Sequence, residues 1–241
     1  MRNNDVQRTN QLINQFKTNF SSQITEKTLK PRGDLSKQSL WNYFVDVFQK
    51  THGKKFVNDI NSLNNLKILF HYFLRDEAFF ECDNLRKDIS TPSFDKGLLI
   101  IGGYGLGKTD YFKVFESIFK NYPDLRFKFY TSKELVHKYE ICEKPMDKQC
   151  FFKDVERKLM FIDDISSERT ASNFGKVDVI DEVLIHRYDN KLRTFASCNY
   201  TSDDNCAQQT LVDLGIRYGS RMYDRFHEMF NIIEFKGKSY R

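Results

Sequence analysis

The chain has 241 residues, 40% of them apolar and 29% charged, with a formal charge of +5 at pH 7. This suits one well-buried α/β domain with an appendage and excludes two full-sized domains. No apolar run approaches the length of a membrane span, and the polar start Met1-Arg2-Asn3-Asn4-Asp5 is not a signal peptide, so a cytoplasmic protein without membrane contact is expected. The five cysteines, Cys82, Cys142, Cys150, Cys198 and Cys206, form no C-x-x-C pair, which argues against a zinc site or a disulfide framework and for free thiols.

Residues 1–38 are polar. Within them Ile13, Phe16, Phe20 and Ile24 recur at three- and four-residue steps, which predicts one short amphipathic helix that docks on the body or on a partner. Pro31-Arg32-Gly33-Asp34 marks a turn. From residue 39 to 94 the composition becomes aromatic: Trp41, Phe44, Val47 and Phe48 share one helical face, as do Leu63, Leu66, Phe70, Phe73 and Leu74 beyond His52-Gly53. These stripes predict a small helical subdomain with its aromatic residues in the core.

Residues 95–241 carry the chemistry. Leu98 to Ile101 reads as a buried strand feeding the loop Gly102-Gly103-Tyr104-Gly105-Leu106-Gly107-Lys108-Thr109, which opens a helical pattern. This is a phosphate-binding loop. Its glycines let backbone N–H groups and a helix N-terminus face a polyphosphate, Lys108 is placed to reach the β- and γ-phosphates, and Thr109 to ligate Mg²⁺. ATP and Mg²⁺ are therefore the expected cofactors. Tyr111, Phe112, Phe115, Ile118 and Phe119 continue the helix to a stop at Asn121-Tyr122-Pro123-Asp124.

Phe127 to Tyr130 predicts a second strand, followed by a helix starting at Ser132. Between Lys133 and Lys158 the charges are nearly balanced, which reads as a solvated mixed surface. Leu159-Met160-Phe161-Ile162 then ends in Asp163-Asp164. After a phosphate loop, such a strand delivers a carboxylate to the metal: Asp163 is expected to hold Mg²⁺ and Asp164 to orient or deprotonate the attacking water. The strand Leu192 to Cys198 ends at Asn199, whose amide either bonds the γ-phosphate or lytic water or caps the next segment. Arg221 and Arg225 lie four apart on a helix before the last strand, Asn231 to Phe235.

Together these motifs resemble the DnaC/IstB family of AAA+ ATPases, the helicase loaders and transposition helper proteins. The resemblance runs from about Lys96 onward and includes the phosphate loop, Asp163-Asp164, Ser166-Ser167-Glu168, Asn173-Phe174-Gly175 and Asn199. Arg221-Met222-Tyr223-Asp224-Arg225-Phe226 and Gly237-Lys238-Ser239-Tyr240-Arg241 complete it. It implies an α/β fold: a five-stranded parallel sheet with helices on both faces, forming a P-loop AAA+ core without a C-terminal lid and preceded by a small helical N-terminal region. It also implies that Asn199 is the sensor residue. By the same resemblance Arg225 would be the arginine finger donated to the ATP of a neighbouring subunit, with Arg221 beside it as the second candidate, so self-association is expected. The function implied is ATP hydrolysis in helicase loading during DNA replication, with a hexameric replicative helicase and single-stranded DNA as partners. The alternatives are a transposition helper ATPase of the same fold and a nucleotide-controlled binding module with little turnover.

Overall fold

The computed structural model describes residues 35–173 and 175–240. The helix expected around Ile13 to Ile24 and the turn at residues 31–34 lie outside the described residues.

Leu98, Leu99, Ile100 and Ile101 are all fully buried, so strand β1 (Gly97–Gly102) has no solvent face. A strand with such a run belongs in the middle of a sheet covered on both sides. Accordingly β1 pairs in parallel with β6 (Arg193–Cys198) on one side and β7 (Phe230–Phe235) on the other, Leu98 lying opposite both Phe195 and Asn231. β3 (Leu159–Asp163) pairs with β6, and β2 (Lys128–Thr131) with β3. The order is β2-β3-β6-β1-β7, and every pairing is parallel. The strands therefore present their carboxyl ends at one edge, where the loops after β1, β3 and β6 converge.

Alternation along the strands divides the core in two. Leu98, Ile100, Phe161, Phe195 and Ile233 face one cluster, closed by α1 (Lys37–His52), α2 (Ile60–Leu74) and α3 (Lys108–Phe119). Leu99, Ile101, Met160, Ile162 and Ala196 face the other. That side is closed by α4 (Ser132–Glu140), α5 (Pro145–Val155), α6 (Val179–Asp189), α7 (Ala207–Tyr218) and α8 (Ser220–Met229). The first cluster is strongly aromatic: Phe112 stacks on Phe161 at 4.0 Å, and Phe73 meets Phe115 and Phe119 at 4.9 Å each.

Helix ends follow local chemistry. The Ser36 side chain caps α1 by accepting from the Ser39 N–H, and the helix stops at left-handed Gly53. Asp59 caps α2 by accepting from the Asn61 and Ser62 N–H groups, and the Ser62 hydroxyl accepts from the Asp59 N–H. The aromatic stripes predicted from residue 39 fall on α1 and α2 and share their core with α3 and the sheet.

Several elements go beyond the sequence reading, among them the helix Ala207–Tyr218. The stretch read as mixed-charge surface contains α5, which buries only Phe151 and Val155 and leaves its charges outside. α6 was not anticipated, although Val179, Ile180, Val183, Leu184 and Arg187 carry helical spacing. A two-stranded antiparallel hairpin, β4 (Ala171–Ser172) with β5 (Lys176–Val177), is too short to show any period. Among the described residues no helix is long and apolar enough to cross a membrane.

Candidate nucleotide site

The loop between β1 and α3 sits at the carboxyl edge of the sheet. Its last glycine, Gly107, is the N-cap of α3, is left-handed at φ 85° and makes no side-chain cap. A Cβ there would lie 2.6 Å from the Tyr111 ring, so the turn requires glycine on both backbone and steric grounds. Within the predicted loop Leu106 is buried, whereas Tyr104 is 70% exposed. No side chain caps the N-terminus of α3, and such a helix end favours an anion.

Lys108 is buried, and its ammonium donates to the carbonyls of Gly102 (2.5 Å) and Gly103 (2.8 Å) and to Asn199 Oδ1 (2.9 Å). The Asn199 Nδ2 in turn donates to Asp164 Oδ1 at 2.7 Å. Three of the predicted residues, drawn from the loop and from the ends of β3 and β6, thus form one hydrogen-bonded chain. The amide of Asn199 is thus bonded to Lys108 and Asp164, and α7 takes its cap from Cys206.

A second chain runs beside the first. Thr109 Oγ1 donates to Asp163 Oδ2 at 2.8 Å, and Ser197 Oγ donates to Asp163 Oδ1 at 2.6 Å. Burial pushes the Asp163 carboxyl above its ordinary value, against the opposing effect of the Ser197 and Thr109 bonds. A hydroxyl oxygen and a buried carboxylate set side by side are hard donors suited to Mg²⁺, and a cation there would offset the cost of burying the charge. The residues present fit that ion.

Asp164 is left-handed at φ 58°. Its backbone is pinned on both sides: its N–H donates to Ser197 Oγ (3.0 Å), and its carbonyl accepts from Ser132 Oγ and Ser167 Oγ at 2.8 Å each. Such a conformation persists in a non-glycine residue only where the surroundings enforce it. The next turn is fastened to α7, since the Ser166 N–H donates to the Tyr218 hydroxyl and that hydroxyl donates to Glu168 Oε1, both at 2.8 Å. Arg217 also pairs with Glu168 Oε1 at 2.6 Å.

A cavity of about 430 Å³ joins these groups, a volume suited to a small organic ligand. Its lining includes Lys108, Thr109, Asp163, Asp164 and Asn199, and also Phe48, Phe56, Val57 and Tyr240. Arg221 and Arg225 do not line it. Arg221 is exposed on α8, and Arg225 lies 4.5 Å over the Tyr188 ring with Asp189 Oδ1 at 3.5 Å.

Ser197, Ser132 and Tyr240 are site residues that the sequence reading passed over. The signal for Ser197 was a hydroxyl two positions before Asn199, at a position the fold buries fully.

No protein-family model matches the sequence, and no curated protein matches it. Among solved structures, the crystal structure of the DnaC helicase loader is similar at TM-score 0.55 and 21% identity, over 83% of this chain and 100% of that one. The crystal structure of DnaI is similar at TM-score 0.49 and 18% identity, over 81% and 93%. Domain III of the Thermotoga maritima replication initiation protein DnaA reaches 0.45 and 16%, over 81% and 67%. The fold is shared with the DnaC helicase loader structure, and the five-stranded parallel sheet with flanking helices is the one expected from the sequence.

Proposed function

We propose that the chain is an ATP-hydrolysing helicase loader acting in DNA replication. The observation that carries this reading is the paired network at the carboxyl edge of the sheet, Lys108–Asn199–Asp164 beside Thr109–Asp163–Ser197. A triphosphate in the cavity offers Lys108 better acceptors than the loop carbonyls, so its ammonium turns to the β- and γ-phosphates. Thr109 and Asp163 would hold Mg²⁺, which neutralises charge on the phosphate oxygens. Once Lys108 turns away, Asn199 can address the γ-phosphate, and Asp164 is placed to orient the attacking water. Arg225, with Arg221 as the second candidate, serves the ATP of a neighbouring subunit, so turnover depends on assembly.

The helicase and single-stranded DNA partners are supported by the motif series and by likeness to a fold whose solved example is named a helicase loader. One observation favours a nucleotide switch with little turnover instead: Asp164 has a short carboxylate, and Asn199 already engages it.

The experiment has two parts. Lys108→Ala should abolish ATP binding, and an unchanged affinity would sink the nucleotide reading. Asp164→Asn should bind ATP but lower steady-state turnover roughly 10²- to 10⁴-fold; a wild-type chain with negligible turnover but nucleotide-dependent partner binding selects the switch. Native mass with a non-hydrolysable ATP analogue, with and without a hexameric replicative helicase, tests the partner. Self-assembly without a helicase complex points to the transposition helper.

A further inference from the structure

The segment after β7 turns back across the nucleotide site. Lys236 is fixed to α2 by a reciprocal pair: its N–H donates to Asn65 Oδ1 (3.2 Å), and its carbonyl accepts from Asn65 Nδ2 (2.9 Å). Gly237, at φ 133°, then passes so close to α2 that a Cβ would lie 3.0 Å from that of Asn61. Three residues on, the Tyr240 N–H donates to the Gly105 carbonyl in the phosphate loop at 3.0 Å. The Tyr240 hydroxyl donates to Asp59 Oδ1, the cap of α2, at 2.9 Å.

The direction of that last bond is well determined. Asp59 is held below the usual carboxylate range by the Ser62 N–H and then by Tyr240, so it remains an acceptor. Burial, followed by the Asp59 bond, raises the Tyr240 phenol, which remains the donor.

Residues 236–240 therefore form a strap with one end on the phosphate loop and the other on α2. The strap also walls the cavity. Tyr240 lines it, together with half-buried Phe56, exposed Val57 and the Lys54 and Lys55 chains. The phosphate loop, Asp163 and Asp164 account for a polyphosphate and its metal. What remains is a slot with aromatic and aliphatic walls and a cationic rim, which suits a nucleoside.

We propose that Tyr240 is a positioning residue for the nucleoside half of the ligand, and that the strap couples occupancy of that half to both the phosphate loop and the N-terminus of α2. The proposal rests on the nucleotide reading above and names a residue that the phosphate chemistry does not require. The ring supplies the wall; the hydroxyl, through Asp59, fixes its angle.

The test uses the full chain and two probes, ATP and inorganic tripolyphosphate, each with Mg²⁺, titrated by calorimetry. Tyr240→Ala should weaken ATP roughly 5- to 150-fold, the equivalent of one base–aromatic contact. It should leave tripolyphosphate within about twofold, below the loss expected for a typical hydrogen bond. Tyr240→Phe keeps the ring and loses only the link to Asp59, so ATP should weaken roughly 2- to 10-fold. The conservative variant thus separates ring from hydroxyl and covers the case in which Tyr240→Ala fails to fold.

Lys108→Ala is the control and should lose both probes. If it keeps ATP, the nucleotide reading fails and this inference with it. If it loses both while Tyr240→Ala and Tyr240→Phe bind ATP like wild type, the strap proposal alone is overturned. Equal weakening of ATP and tripolyphosphate in Tyr240→Ala also overturns it, because the residue would then brace the loop without touching the nucleoside.

Discussion

Gly107 shows how much of the site depends on a single backbone angle. Its φ of 85° starts α3 at the phosphate loop, and the Tyr111 ring fills the space where a side chain would go. Gly107→Ala should therefore fold but lose ATP affinity by roughly tenfold or more, since the strain alone amounts to about 1–3 kcal/mol. Titration beside a thermal melt checks this: a melting temperature lowered by roughly 2–12 °C, the chain still folding, together with weakened ATP is the expected pair, and unchanged affinity would show that the loop tolerates a side chain. At this scale most of the site was legible. Lys108, Thr109, Asp163, Asp164 and Asn199 were picked out because glycine spacing and a carboxylate after an apolar run leave a mark in the sequence, and the structure joins them by hydrogen bonds. Ser197, Ser132 and Tyr240 were not, because a hydroxyl on a strand or in a late loop gains meaning only from the residue placed opposite it.

Among the elements, α6 is held by an unusual staple. Arg187 is fully buried and faces no carboxylate among its hydrogen-bond partners. Its guanidinium donates to the carbonyls of Val155, Arg157 and Arg193 and to Thr194 Oγ1, joining the end of α5, α6 and the start of β6. Burial pushes it down to about 10, so it remains a cation at neutral pH. Four directed N–H bonds reach acceptors that a lysine could not reach together. Arg187→Met removes the donors and leaves buried carbonyls unpaired, which should cost about 3 kcal/mol or more. Urea unfolding reads this as a lowered midpoint at unchanged slope; Arg187→Lys should recover little, and full recovery would show that charge alone is what matters. The same helix shows why elements were read unevenly. β1 and β3 carry the continuous apolar runs 98–101 and 159–162, visible without any partner. In α6 the buried stripe ends in an arginine, which a hydropathy pattern counts as solvent-facing although the fold buries it.

In the whole molecule, α1 and α2 do not form a core of their own. Phe44 on α1 lies 5.6 Å from Tyr111 and 5.4 Å from Phe115 of α3, and Phe73 on α2 meets Phe195 in the sheet at 5.7 Å. The aromatic spacing along residues 39–94 announced helices with an apolar face, but a single sequence carries no sign of which surface that face will meet. Here it meets the phosphate-loop helix, so residues 37–74 and the nucleotide site should unfold together. Trp41 makes this measurable. It is the only tryptophan in the chain, it stands on α1, and it packs edge-on against Phe56 at 5.9 Å and Phe70 at 6.5 Å. Its fluorescence in urea should fall in the same transition as the far-ultraviolet circular dichroism, which is dominated by the helices of the rest of the fold. ATP should raise both midpoints by the same amount, because a ligand that binds only the folded state stabilises everything that unfolds with its site. A Trp41 transition at lower urea, insensitive to ATP, would instead make α1 and α2 a separable unit. The aromatic contacts between α1 and Tyr111, the residue beneath Gly107, argue for the shared transition, since loosening α1 exposes the ring on which the phosphate loop rests.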